Sequence, residues 1–166
     1  MKRSTLSALF FLVASCSSVL AQEIKPLGTF ENWSAWSSYE GKTRVCYIYA
    51  EAQTMKPENL DHGRVSFAIR HRRQGPSETE ASLRAGYDFG AEAIKVSVDG
   101  TAFTMLPRGA YAWLRREERE GEFMAALQKG KLMTVEALSS RGNRTEYTFS
   151  LKGVTAAMRK ATRSCR

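Results

Sequence analysis

The residue types with the widest chemical reach in this chain are two histidines, His62 and His71, and three cysteines. Their spacing gives them little to work with. No Cys-x-x-Cys, His-Glu-x-x-His or Gly-x-Ser-x-Gly pattern occurs, so neither a zinc site nor an activated serine is expected. A structural zinc site takes four nitrogen or sulfur ligands, and these histidines stand alone. His62 falls in the 57–63 loop and reads as a surface residue rather than a base. Glu117, Glu118, Glu120 and Glu122 sit on one exposed helix start, where they offset the positive end of the helix dipole. No catalytic residue, metal or cofactor is expected.

The sharpest functional feature is the run Arg70-His71-Arg72-Arg73. It ends a predicted strand and enters a Gly75-Pro76 turn, so its side chains should be exposed. Such a cluster can grip phosphate or sulfate oxygens, with arginine forming bidentate contacts. The alternative is a sheet edge protected by charge. A second feature is aromatic. Tyr47 and Tyr49 alternate with Cys46 and Ile48, which places the two tyrosines on the outer face of a strand. Together with Trp33, Trp36, Tyr87, Tyr111 and Trp113 they exceed what a small core needs, and they form a candidate sugar- or protein-binding surface.

The elements that must position these residues are mostly strands. Period-two patterning marks 30–37, 44–50, 64–70, 94–98, 102–106, 110–114, 132–138 and 145–151. The 22–28 stretch reads as a lead-in stiffened by Pro26, and 81–89 is ambiguous. Asp99-Gly100 is a type I′ hairpin turn, and Gly142 or Asn143 can supply the positive φ of a second hairpin. Two helices interrupt, at 117–129 and after Gly153. The expected fold is mainly β: an antiparallel sandwich or flattened barrel, with the C-terminal helix packed on the sheet.

The first 21 residues read as a secretory signal: Lys2 and Arg3, an apolar stretch, then Val19-Leu20-Ala21. Their removal leaves 145 of 166 residues, one domain at 22–166. The segment holds two basic residues and no acid, so a net charge of +8 becomes +6. A basic exported protein suits anionic partners such as lipopolysaccharide, acidic lipid or glycan, and argues against nucleic acid. Val13-Ala14-Ser15-Cys16 also fits a lipobox, and acylation of Cys16 would tether the chain to a membrane. Either route leaves Cys46 and Cys165, which in an oxidising compartment form a disulfide, two buried free thiols being the alternative. Cys46 shares a strand face with Ile48, and Cys165 falls on the apolar stripe of the last helix, so both can point into one core.

Gly28-Thr29-Phe30, Trp33-Ser34-Ala35 and Val45-Cys46-Tyr47 resemble the opening of the invasion associated locus B family of Gram-negative bacteria. The resemblance continues in order through Ala85-Gly86-Tyr87, Ala112-Trp113, Ser139-Ser140-Arg141-Gly142, the 147–153 stretch and Cys165. It departs at Glu31-Asn32 and Val154, and in lacking a second, close cysteine pair. It implies a small exported β-sandwich linked to host-cell invasion, with no catalytic residues to carry over. The expected function is a non-enzymatic periplasmic or envelope protein that binds an anionic envelope component, a glycan or a host surface. A structural or chaperone-like factor binding envelope proteins is the alternative, with an unrecognised hydrolase behind it.

Overall fold

Alternating apolar and polar residues become strands wherever a second strand covers their backbone, and here nearly every such run finds one. A computed structural model of the chain describes residues 24–71 and 79–165. The predicted signal with Cys16, and Arg72, Arg73 and Arg166, lie outside the described residues. The strands are β1 (Lys25–Phe30), β2 (Trp33–Glu40), β3 (Thr43–Glu51), β4 (Thr54–Lys56), β5 (Ser66–His71), β6 (Thr79–Arg84), β7 (Ile94–Val98), β8 (Thr101–Arg108), β9 (Tyr111–Leu114), β10 (Leu132–Leu138) and β11 (Arg144–Ser150). The helices are α1 (Glu120–Lys129), entered through a 3-10 turn at Glu117–Arg119, and α2 (Val154–Ser164).

All the strands join one antiparallel sheet in the order β1-β2-β3-β5-β6-β9-β8-β7-β10-β11-β4. The sheet rolls over on itself without closing. β4 continues the path of β3 but pairs with β11 at the far end of the order. The N–H of Gln53 donates to the Thr148 carbonyl at 2.8 Å, just where the chain crosses. The Trp33 indole donates to the Ser150 carbonyl at 2.9 Å, and the Asn32 N–H to the Lys152 carbonyl. These bonds stitch the β2–β3 end to the β11 end. The inner faces of the roll then form one core.

α1 plugs that core. Phe123 meets Phe67 of β5 and Phe103 of β8 edge-on, at centroid distances of 5.9 and 4.8 Å, and Phe67 meets Phe149 of β11 at 6.0 Å. Edge-on aromatic contacts of this kind add about 1 kcal/mol each beyond the area they bury. α2 lies over β1, β2 and β3, burying Val154, Ala157 and Ala161. Its start requires Gly153: φ is 94°, and a Cβ there would stand 1.9 Å from the Phe30 carbonyl oxygen.

The expected mainly-β fold with a C-terminal helix on the sheet is observed, as is the Asp99-Gly100 turn, with positive φ at both residues. Two strands go beyond the sequence reading. Residues expected to be a lead-in form β1, where Pro26 and Gly28 are accommodated at a sheet edge with a register shift between them. β4 is three exposed residues without apolar alternation, held by β11 alone.

Cys46 and Cys165 are disulfide-bonded, with Cα atoms 5.9 Å apart across 119 residues of sequence. The bond ties the end of α2 to the inner face of β3. Replacing both cysteines by alanine should lower unfolding stability by about 4 kcal/mol, the chain-entropy value for so long a loop, read from urea midpoints of oxidised wild type and variant. Equal midpoints would show that the bond contributes nothing.

Candidate functional site

Outward-facing residues of six neighbouring strands, β2-β3-β5-β6-β9-β8, build one surface whose rows follow from the register. One row runs Ser34, Tyr49, Ala68, Ser82, Trp113, Leu106. Beside it run Trp36, Tyr47, Arg70 and Glu80, and on the other side Ser66, Arg84, Tyr111 and Arg108. Tyr47 and Tyr49 are half-buried on this face, as their alternation with Cys46 and Ile48 implies. Between Tyr49 and Trp113 the row drops to the small side chains of Ala68 and Ser82.

The hydrogen bonds on this face hold the aromatic rings in place. The Trp36 indole donates to Ser34 Oγ at 2.7 Å, and the Tyr49 hydroxyl to Glu51 at 2.8 Å. Burial raises both tyrosine pKa values, and Glu51 adds to the effect at Tyr49, so both rings stay neutral phenols. Tyr111 stacks on Trp113 at 5.9 Å with the planes 20° apart, and the Arg84 guanidinium lies 5.7 Å from the Tyr111 centroid. Of the aromatic set read from sequence, Trp36, Tyr111 and Trp113 lie on this face, whereas Trp33 is buried in the core and Tyr87 bonds to Tyr147 and Thr145; Arg84 and Arg108 were not singled out from sequence. The signal that finds them is strand register, which no single strand carries.

The basic run does not act as one patch among the described residues. Arg70 points onto the aromatic face and is ion-paired with Glu40 at 2.5 Å. His71 turns instead to the rim of a cleft of about 900 Å³ between the two helices, lined also by Glu117, Glu118, Arg159 and Arg163. Arg72 and Arg73 lie outside the described residues.

In the same cleft Glu120 departs from the expected exposed helix start: it is 4% exposed. Its carboxylate accepts from the Thr79 hydroxyl at 3.1 Å. Desolvation raises its pKa to about 7, helped by the charges of Glu80 and Glu117 and opposed by the Thr79 hydroxyl and the Ala81 N–H. α1 places it there because Phe123, Met124 and Leu127 must face the core, and Glu120 shares their side of the helix.

His62 also departs from the sequence reading. It is 6% exposed and both ring nitrogens are bonded. Nε2 lies 2.9 Å from the Pro57 carbonyl, which can only accept, so Nε2 carries a proton. In the neutral ring Nδ1 then accepts from the Tyr147 hydroxyl at 3.0 Å. Tyr147 accepts in turn from Tyr87 at 2.6 Å, and the Tyr87 hydroxyl lies 2.8 Å from that of Thr145, which also reaches the Ala137 carbonyl at 3.3 Å. Burial, with the adjoining Tyr87 hydroxyl, raises the Tyr147 pKa far above the ordinary phenol value, so it acts as a hydrogen-bond link and not as a nucleophile. Gly86 lets the two loops meet backbone to backbone: a Cβ there would stand 2.6 Å from both Gly63 Cα and the His62 carbonyl oxygen.

A further open cleft of about 770 Å³ lies over β7, β10, β11 and β4. Lys95, Glu136, Glu146 and Lys56 cross its floor in register and form a neutral ladder, with Lys56 and Glu146 3.6 Å apart. Among the described residues no group of three or more His, Cys, Asp or Glu side chains is placed to hold a metal ion.

The sequence profile of the invasion associated locus B (IalB) protein family matches residues 33–162. A comparison with curated proteins finds no match. Among solved structures, the chain is similar to the crystal structure of invasion associated protein b from Bartonella henselae. The TM-score is 0.59 at 14% identity, covering 87% of this chain and 97% of that one. At that identity the likeness shows the fold.

Two outcomes test the polar core. The folded pKa of Glu120, about 7, lies above the ordinary 4.5, so the folded chain keeps a proton that the unfolded chain has lost between those values. The resulting stability is complete below pH 4.5 and disappears as pH rises through 7. Urea midpoints should fall from about pH 5 to about pH 8 in wild type and stay level over that range in Glu120→Gln. Tyr147→Phe should cost about 2 kcal/mol, because it strands the His62 acceptor and the Tyr87 donor. A loss too small to resolve would mean that water replaces the hydroxyl.

Proposed function

The chain belongs to the invasion associated locus B family, and we propose that it is an exported, non-enzymatic protein that binds an anionic envelope or host-surface component through its outer aromatic face. One observation carries this reading. The face spans six strands and combines Trp36, Tyr47, Tyr49, Tyr111 and Trp113 with Arg70, Arg84 and Arg108, on a chain of net charge +8 that stays basic without the two cations of the predicted signal. Aromatic rings gathered on an exposed sheet face mark a contact surface, because they are not needed to fill the core beneath them.

Export rests on the predicted signal, and the Cys46–Cys165 bond fits an oxidising compartment. The non-enzymatic reading rests on how the titratable side chains are used. His62 and Tyr147 are committed to each other and to backbone, Glu120 is enclosed beside Thr79, and no nucleophile–base pair accompanies them among the described residues. Arg70 keeps a part in the proposal as the cation paired with Tyr47 in the strand register.

Immobilised protein should retain lipopolysaccharide, anionic vesicles or glycans at low ionic strength and release them as salt rises. Tyr47→Ala combined with Tyr49→Ala should weaken the best of these by about tenfold, the value of one well-buried aromatic contact. Absence of binding across the whole panel at low salt would overturn the proposal.

A further inference from the structure

The arginines on the aromatic face are not equivalent. Arg70 is held by Glu40, and Arg64, at the border of the face, lies 3.2 Å from Glu51. Arg84 and Arg108 have no carboxylate at ion-pair distance among the described residues. Both side chains are exposed, and the register sets them on either side of Tyr111: Arg84 pairs with Tyr111 across β6 and β9, and Tyr111 with Arg108 across β9 and β8. Strands stand about 4.8 Å apart, so the two arginine Cα atoms are separated by about 10 Å. Their guanidinium forks can converge over the tyrosine on one anionic group. One row away, Trp113 stacks on Tyr111 and is flanked in register by Ser82 and Leu106.

We propose that the Arg84–Tyr111–Arg108 row, with Trp113 beside it, is a subsite for an acidic glycan, a chain of sugar rings bearing carboxylate or sulfate groups. This inference rests on the binding function proposed above and gives it a place and a ligand class. The argument is chemical complementarity. A pyranose ring presents a C–H face that stacks on indole or phenol, and its hydroxyls suit the Ser82 hydroxyl. Its acid group takes bidentate bonds from planar guanidinium, the geometry for which arginine is better built than lysine. A phospholipid headgroup would use the charges and leave the stacked Trp113–Tyr111 pair without a partner. The small side chains of Ser82 and Ala68 keep the surface low from Trp113 back to Tyr49, which leaves room for a chain to run across the strands.

The test measures dissociation constants at physiological salt for hyaluronan, heparin, neutral dextran and inorganic polyphosphate, following Trp fluorescence or calorimetry. Hyaluronan or heparin should bind at least about tenfold more tightly than dextran, which has rings without charge, and than polyphosphate, which has charge without rings. Arg84→Gln and Arg108→Gln should each weaken that glycan by about tenfold. Both positions are exposed, so folding is not at stake. Lys129→Gln and Lys160→Gln, which remove the same charge from the helices, should change it less than twofold. Preference for the carboxylated or the sulfated chain identifies the acid group. The subsite is overturned if dextran or polyphosphate matches the better acidic glycan, or if Arg84→Gln/Arg108→Gln binds as wild type does. If lipopolysaccharide or anionic vesicles bind while the arginine variants behave as wild type, the broader function stands and this subsite falls. If the wild type binds no member of either panel, both fall.

Discussion

A sheet whose strands all face one core has to fold over, because apolar side chains on one side of an open sheet would otherwise meet water. In this protein the fold-over is set by a single stretch of chain between Glu51 and Thr54. β3 lies third from one end of the strand order, and its continuation, β4, lies at the other. The chain can serve both places only if the sheet has already turned. The Gln53–Thr148 hydrogen bond fixes that corner, and Trp33, at the adjoining end of β2, ties it again at Ser150. The single core, the plug formed by Phe123 and the aligned outer faces all presuppose this geometry.

Much of the roll was legible in the sequence because burial on one side forces period-two alternation. Arg44 to Ala50, Ile94 to Val98 and the last hairpin show it plainly, and Asp99-Gly100 names its own turn. β1 and β4 were not legible for a shared reason. Edge strands need only one partner, so they tolerate Pro26, Gly28 or three exposed residues, and nothing in their composition announces a ladder. The Cys46–Cys165 bond was readable from strand-face and helix-stripe arguments together. The buried state of His62 and Glu120 was not. A polar side chain in a loop or at a helix start looks the same whether it meets water or a partner distant in sequence, and their partners are Tyr147 and Thr79.

The candidate surface shows the same division. Tyr47 and Tyr49 follow from one strand's alternation. The Trp113–Tyr111 stack and its flanking arginines follow from how β6, β9 and β8 are registered, which only the assembled sheet displays. The polar interior serves a different purpose. The His62–Tyr147–Tyr87–Thr145 chain joins the 57–63 loop to β11 and to the segment after β6, so it braces the corner where β4 is held. Structural polarity is thus concentrated inside the roll, while the aromatic and unpaired cationic groups lie outside it.

The disulfide divides the polypeptide mechanically. Everything from Cys46 to Cys165 belongs to one covalent ring, and β1, β2 and the first three residues of β3 are the structured part upstream of it. A pull applied at the N-terminus and resisted at the Arg84–Tyr111–Arg108 row would peel β1, β2 and the first residues of β3 from the sheet and then stop at Cys46. At about 3.5 Å per residue, the extension available from residue 24 to that point is roughly 75 Å. The glycan subsite lies entirely within the ring, so the load-bearing segment and the gripping surface are separable: the first can extend under tension while the second keeps its shape.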